Sequence, residues 1–107
     1  MGLFEAGTML YENLDGYAFK EKWEETEGSE LLDVRTPAEY NSGTIKGAKN
    51  IDLMSPSFKD QILKLDKSKA YFIVCRSGGR SSQACIWMAN EGFKVHNLAG
   101  GIGAWPR

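Results

Sequence analysis

Five apolar residues, Ala70-Tyr71-Phe72-Ile73-Val74, run into the segment Cys75-Arg76-Ser77-Gly78-Gly79-Arg80, and a helical pattern follows over residues 81–91. An aromatic and β-branched run with no polar alternation is a strand covered on both faces, as in a parallel sheet. Parallel neighbours need crossovers, usually helices, and the rest of the chain supplies them. Residues 9–14 read as a short first strand. Residues 16–27 read as a helix with Phe19 and Trp23 on one face, closed by Gly28-Ser29. Residues 30–34 form a second buried strand. Thr36 then caps a helix with Pro37 at its first position and Glu39 completing a capping box. Gly43 and Gly47 bracket a turn, residues 48–53 suit an edge strand, and residues 57–65 carry Phe58, Ile62 and Leu65 on one face. A last strand over 93–98, a Gly100-Gly101 turn and a half-turn at 102–105 complete the order. This alternation predicts an α/β fold, a parallel sheet with helices on both faces. It is expected as one domain over residues 9–107, after a flexible stretch over residues 1–8.

Ligands of open α/β sheets bind at the carboxyl ends of strands, where the Cys75 loop must lie. Gly78 and Gly79 allow positive φ, so the chain can curl until several N–H groups face one centre. A helix beginning near Ser81 adds unpaired first-turn amides and the positive end of its dipole. Arg76 and Arg80 add full charges. Cys75 at the base of such a cradle is expected to ionise below the free-thiol value of about 8.5 and to act as a nucleophile. Arg76, Ser77, Gly78, Gly79, Arg80 and Ser81 are the expected substrate-binding residues. The segment contains neither GxGxxG nor GxxxxGK[ST], which argues against a nucleotide site.

Composition narrows the alternatives. A formal charge of −1 provides no general field for nucleic acid or anionic lipid, so anion binding has to be local. No apolar stretch approaches the ~20 residues of a membrane span, and the N-terminus lacks the features of a signal peptide, which points to the cytoplasm. Two cysteines and one histidine match no disulfide framework and no zinc pattern, so neither metal nor cofactor is expected. Cys85 falls on the apolar side of its helix and reads as core. As a resolving partner it lies about 7–8 Å along the helix from Arg80, too far for a disulfide with Cys75 without distortion. Asp33 and Arg35 sit at a strand end, where Arg35 is placed to pair with Glu39. They read as structural, with bracing of the Cys75 loop as the functional alternative. His96 reads as a partly exposed structural residue, not a base for Cys75, which argues against Cys-His hydrolysis.

Two separated motifs resemble the rhodanese-homology family. The first is Leu31-Leu32-Asp33-Val34-Arg35-Thr36-Pro37-Ala38-Glu39-Tyr40, continued by Ser42-Gly43-Thr44-Ile45-Lys46-Gly47-Ala48-Lys49-Asn50-Ile51. The second is Cys75-Arg76-Ser77-Gly78-Gly79-Arg80-Ser81, followed by Gly92-Phe93 and by Asn97-Leu98-Ala99-Gly100-Gly101-Ile102-Gly103-Ala104-Trp105. The resemblance implies a five-stranded parallel sheet and sulfurtransferase chemistry. Cys75 would take sulfane sulfur from thiosulfate or another small anionic donor, and its persulfide would pass it to a thiol or cyanide acceptor, with a sulfur-relay protein as a further possible partner. Thr44 stands where the family often has His, Lys46 where it often has Pro, and Gly79 where Asn is common. Local effects are expected from the first two and greater loop mobility from the third.

Three rivals remain at this stage. Phosphatases and arsenate reductases of related fold use Cys-x5-Arg, whereas Arg80 comes one residue too soon and the smaller loop suits a single sulfur. A persulfide carrier or interaction module without turnover would share the same loop. A redox sensor would use the low-pKa Cys75 through reversible oxidation.

Overall fold

The computed structural model describes residues 11–106. The flexible stretch expected over residues 1–8, and Met9 and Leu10 of the first predicted strand, lie outside them. Five strands form one parallel sheet: β1 (Glu12–Leu14), β2 (Glu30–Asp33), β3 (Lys49–Asn50), β4 (Ala70–Val74) and β5 (Lys94–Leu98), in the order β1-β5-β4-β2-β3. Four helices cross between them: α1 (Gly16–Glu25), α2 (Pro37–Asn41), α3 (Phe58–Leu63) and α4 (Gly79–Asn90). A 3-10 turn, Ile102–Ala104, follows β5. The fold class is the one expected, α/β with a five-stranded parallel sheet.

The two-residue period of the central strand sorts the core into two layers. Tyr71, Ile73 and Cys75 face one side with Phe58 and Ile62 of α3 and Ala84, Cys85 and Met88 of α4. Phe72 and Val74 face the other with Phe19 of α1, Leu31 and Leu98. Every residue of the run 71–75 is buried, as a strand covered on both faces requires. Phe72 meets Phe19 edge-on at a ring separation of 5.3 Å and stacks on His96 at 4.5 Å. Aromatic pairs at these separations add to the stabilisation from area burial.

The elements are shorter than the sequence suggests at several edges. Helix α1 ends at Glu25, where the Thr26 hydroxyl donates back to the Lys22 carbonyl at 2.6 Å, before the expected stop at Gly28. The edge strand β3 pairs only at Lys49 and Asn50. Helix α2 keeps the predicted cap: Thr36 Oγ1 accepts from the Glu39 N–H at 3.3 Å, and Glu39 Oε1 accepts from the Thr36 N–H at 3.1 Å. Helix α4 instead starts early, at Gly79, two residues before the expected Ser81. Among the described residues no helix is long and apolar enough to cross a membrane.

Candidate active site

Cys75 directly follows β4, so its side chain continues the inward alternation of Tyr71 and Ile73. Its carbonyl accepts from the Ile102 N–H at 2.8 Å, which clasps the chain at the strand end. Gly78 then takes the left-handed conformation, φ +97°, and caps α4 with backbone alone. A side chain at Gly78 would meet the Gly100 N at 3.1 Å besides carrying the strain of positive φ. This bend aims the Gly78 N–H at Cys75 Sγ, 3.0 Å away. Ser81, one turn into α4, sends its hydroxyl back to the same sulfur at 3.3 Å and to the Gly78 carbonyl at 3.2 Å.

Burial pushes the Cys75 thiol up. The Ser81 hydroxyl and the amides of Ser81, Gly78 and Ser77 together outweigh it, and the thiol lies below its ordinary value. Hydrogen bonds to a charged form favour that form. A sulfur ringed by donors in a low-dielectric setting is therefore a thiolate in waiting. Cys85 has no such ring. It is fully buried, burial drives its thiol far up, and both cysteines are free.

Four features differ from the sequence reading. Gly79 and Arg80 belong to the first turn of α4, not to a loop, and only Gly78 of the glycine pair has positive φ. The helix starts early because Gly78 provides the left-handed turn, while Ser81 spends its hydroxyl on sulfur and is no cap. Second, Cys75 Sγ is closed to solvent: the residue is 0% exposed, as is Ser81, so Ser81 contacts the sulfur and not a ligand in the open. Arg76, Ser77 and Gly79 are exposed, Gly78 is buried, and Arg80 is half-buried.

Third, the arginines are not unpaired charges. Arg80 Nη1 and Nη2 donate to Glu39 Oε1 and Oε2, each at 2.9 Å, and Arg76 Nε donates to Glu39 Oε2 at 3.3 Å. The Arg80 guanidinium beside it, with the Thr36 N–H, holds the Glu39 carboxyl far below the usual carboxylate range. Fourth, Arg35 pairs with Asp33 and not with Glu39. Its Nε and Nη2 reach the Asp33 carboxylate at 2.7–3.1 Å, and Nη2 also donates to the Gly43 carbonyl at 2.6 Å. Thr44, standing where His was noted as common, donates its hydroxyl to Asp33 Oδ2 at 2.8 Å. Asp33 and Arg35 thus tie the carboxyl end of β2 to the 43–44 turn, and neither makes a hydrogen bond to the Cys75 loop.

Supports of the bend come from residues outside the site expected from sequence. Asn97 of β5, buried, donates through Nδ2 to Asn13 Oδ1 at 2.8 Å and to the Gly78 carbonyl at 3.4 Å. An amide side chain next to Leu98 at the buried end of β5 was the available signal. Gly101 packs against the loop so closely that a Cβ there would lie 2.0 Å from the Arg76 carbonyl oxygen. The Tyr11 hydroxyl lies 2.6 Å from that of Ser82 on α4. His96 Nδ1 sits 2.6 Å from Glu12 Oε1 on the opposite layer from the Cys75 side chain, and burial holds its pKa below the ordinary value.

Residues 17–107 match the family model described as Rhodanese-like domain. The chain is 35% identical over 99 residues to a protein of Allochromatium vinosum named Sulfurtransferase, with 92% of this chain and 91% of that protein covered. It is 40% identical over 88 residues to the putative sulfurtransferase YtwF of Bacillus subtilis, covering 82% and 84% of the two chains. Its coordinates superpose with a TM-score of 0.77 on the crystal structure of a rhodanese-like domain protein from Staphylococcus aureus, at 29% identity and with 89% and 91% of the chains covered.

Proposed function

The chain belongs to the rhodanese-like family, whose relatives bear the name sulfurtransferase, and on that premise we propose that it moves sulfane sulfur through a persulfide on Cys75. The observation that carries this reading is the Gly78 amide and the Ser81 hydroxyl converging on Cys75 Sγ at 3.0 and 3.3 Å. A displacement at sulfur needs a thiolate, and these donors favour one.

The first step is an in-line displacement. The Cys75 thiolate attacks the outer sulfur of thiosulfate; the new S–S bond forms as the old one breaks, and sulfite leaves with the electron pair. The charge that was on Cys75 Sγ now sits on the terminal persulfide sulfur. Amides at the first turn of α4 are placed to stabilise that charge, as oxyanion donors do elsewhere. In the second step a thiolate or cyanide attacks the terminal sulfur. It leaves as a persulfide or thiocyanate, and the Cys75 thiolate returns. No electron leaves the sulfur atoms involved, so the step calls for no redox cofactor. Donors with the same electronic demand, such as a small-molecule persulfide, fit equally.

The closed sulfur supports a second reading. With Cys75 fully buried, a persulfide formed there would be shielded from stray thiols, as a carrier handing sulfur to one protein partner requires. A thiosulfate–cyanide assay on the isolated chain separates the two. Turnover that Cys75→Ser abolishes supports the enzyme. A single stoichiometric persulfide without turnover supports the carrier. No sulfur on Cys75 from any sulfane donor rejects both.

A further inference from the structure

The cradle inferred from sequence would present two unopposed guanidinium groups to an anionic donor, but Glu39 engages both. Its two oxygens do different work. Oε1 closes the cap of α2, accepting from the Thr36 N–H and hydroxyl at 3.1 Å each, besides the Arg80 contact. Oε2 takes no part in the cap and serves the two arginines alone. Capping needs only an acceptor, which a neutral amide supplies equally well. The Glu39 charge favours the α2 dipole from its first turn, and through both guanidinium groups it also acts outside its helix.

The two arginines are held unequally. Arg80 is gripped by both oxygens in a planar fork, the stronger form of this pairing. Arg76 makes a single 3.3 Å contact through Nε, and its side chain is 73% exposed. Its two terminal nitrogens have no hydrogen-bond partner among the described residues.

We propose that Glu39 is a specificity-determining residue, a built-in counter-anion that fixes Arg80 beside Cys75 and competes with the incoming anionic donor for Arg76. The cluster of Glu39, Arg76 and Arg80 carries one net positive charge in place of two. A donor anion gains Arg76 only by displacing the weak Glu39 contact, while Arg80 keeps its fork and its place. Donor affinity is then set by charge at the rim, independently of the amides that hold the sulfur. This deepens the sulfurtransferase reading and rests on it for the identity of the anion.

Alkylation of Cys75 provides a test that does not need sulfur transfer. Iodoacetate and iodoacetamide differ in charge, and both must reach the same buried thiolate. The ratio of their rates cancels thiolate fraction and access, leaving the local field. Glu39→Gln keeps the cap and removes the counter-charge. The ratio of iodoacetate to iodoacetamide rates should rise about threefold at low salt, as expected for one unit charge acting over roughly 6 Å in a water-like medium. That gain should shrink toward nothing at about 1 M salt. KM for thiosulfate should fall in the same variant with less change in kcat. Arg76→Gln should move the alkylation ratio the other way by a similar factor, and it decides the matter if Glu39→Gln does not fold. A ratio in Glu39→Gln equal to or below wild type, or one unmoved in Arg76→Gln, overturns the proposal. A shifted ratio in a protein that never accepts sulfur leaves this assignment standing and defeats the sulfurtransferase reading; normal transfer with an unmoved ratio does the opposite.

Discussion

Ser81 shows how little of the site consists of groups that meet a ligand. Its hydroxyl is buried, bridges Cys75 Sγ and the Gly78 carbonyl, and does more than any amide around it to lower the thiol's pKa. Removing it by Ser81→Ala takes a charge-assisted hydrogen bond from the thiolate. Alkylation of Cys75 at neutral pH should slow by on the order of tenfold, since such bonds are worth roughly 1.5–3 kcal/mol and this one is long. The pH profile carries the same sign. In the wild type the alkylation rate should climb with pH and level off below the free-thiol midpoint of about 8.5, and Ser81→Ala should move the plateau to higher pH. Stopped-flow alkylation across pH 5–9 would check both. At this scale the donors that favour a Cys75 thiolate were legible from sequence because all of them lie within six residues of it. Glu39 was not, because its partner Arg80 is 41 positions away and its local setting already explained it as a cap.

The elements around the bend meet backbone to backbone, which is where substitution is least tolerated. Gly101 has φ +79°, and a Cβ there would lie 2.0 Å from the Arg76 carbonyl oxygen and 2.5 Å from the Ser77 N. Gly101→Ala should therefore cost on the order of 3 kcal/mol in a denaturant titration and impair sulfur transfer as well. Helix α2 is tied to α4 through Glu39, whose carboxyl is depressed in the folded state. A depressed carboxyl stabilises the fold above the unfolded value of about 4.3, and the contribution is lost as pH falls through and below it. Stability measured from pH 6 to pH 3 should fall more steeply in wild type than in Glu39→Gln. The sequence located each element but not each edge. The α4 start lies two residues earlier than expected because Gly78 caps the helix with backbone alone, a cap that no side chain announces. β3 was overestimated because residues 51 and 53 continue its apolar pattern. Their amides do donate to the Asp33 and Val34 carbonyls, yet the paired register stops at Asn50.

Across the whole molecule, parallel strands bring every carboxyl end to one side, so the ends of β2 and β4 both contribute there. At β2 the buried Asp33–Arg35 pair secures the 43–44 turn. Asp33→Asn would leave a guanidinium with 7% side-chain exposure without its counter-charge. A loss of about 3–5 kcal/mol in urea unfolding is expected, as for other broken buried pairs. The overall architecture was legible because alternating buried runs and amphipathic stretches admit few topologies. The closure of the sulfur was not, since burial at a strand end depends on how the distant α3 packs with α4 over the face that Cys75 shares with Tyr71 and Ile73. The central claim, that Cys75 is an activated carrier of one sulfane sulfur, is tested most directly by intact mass after exposure to thiosulfate. A gain of one sulfur atom in the wild type, reversed by cyanide and absent in Cys75→Ala, is the predicted result; an unchanged wild-type mass, or the same gain in Cys75→Ala, would contradict it.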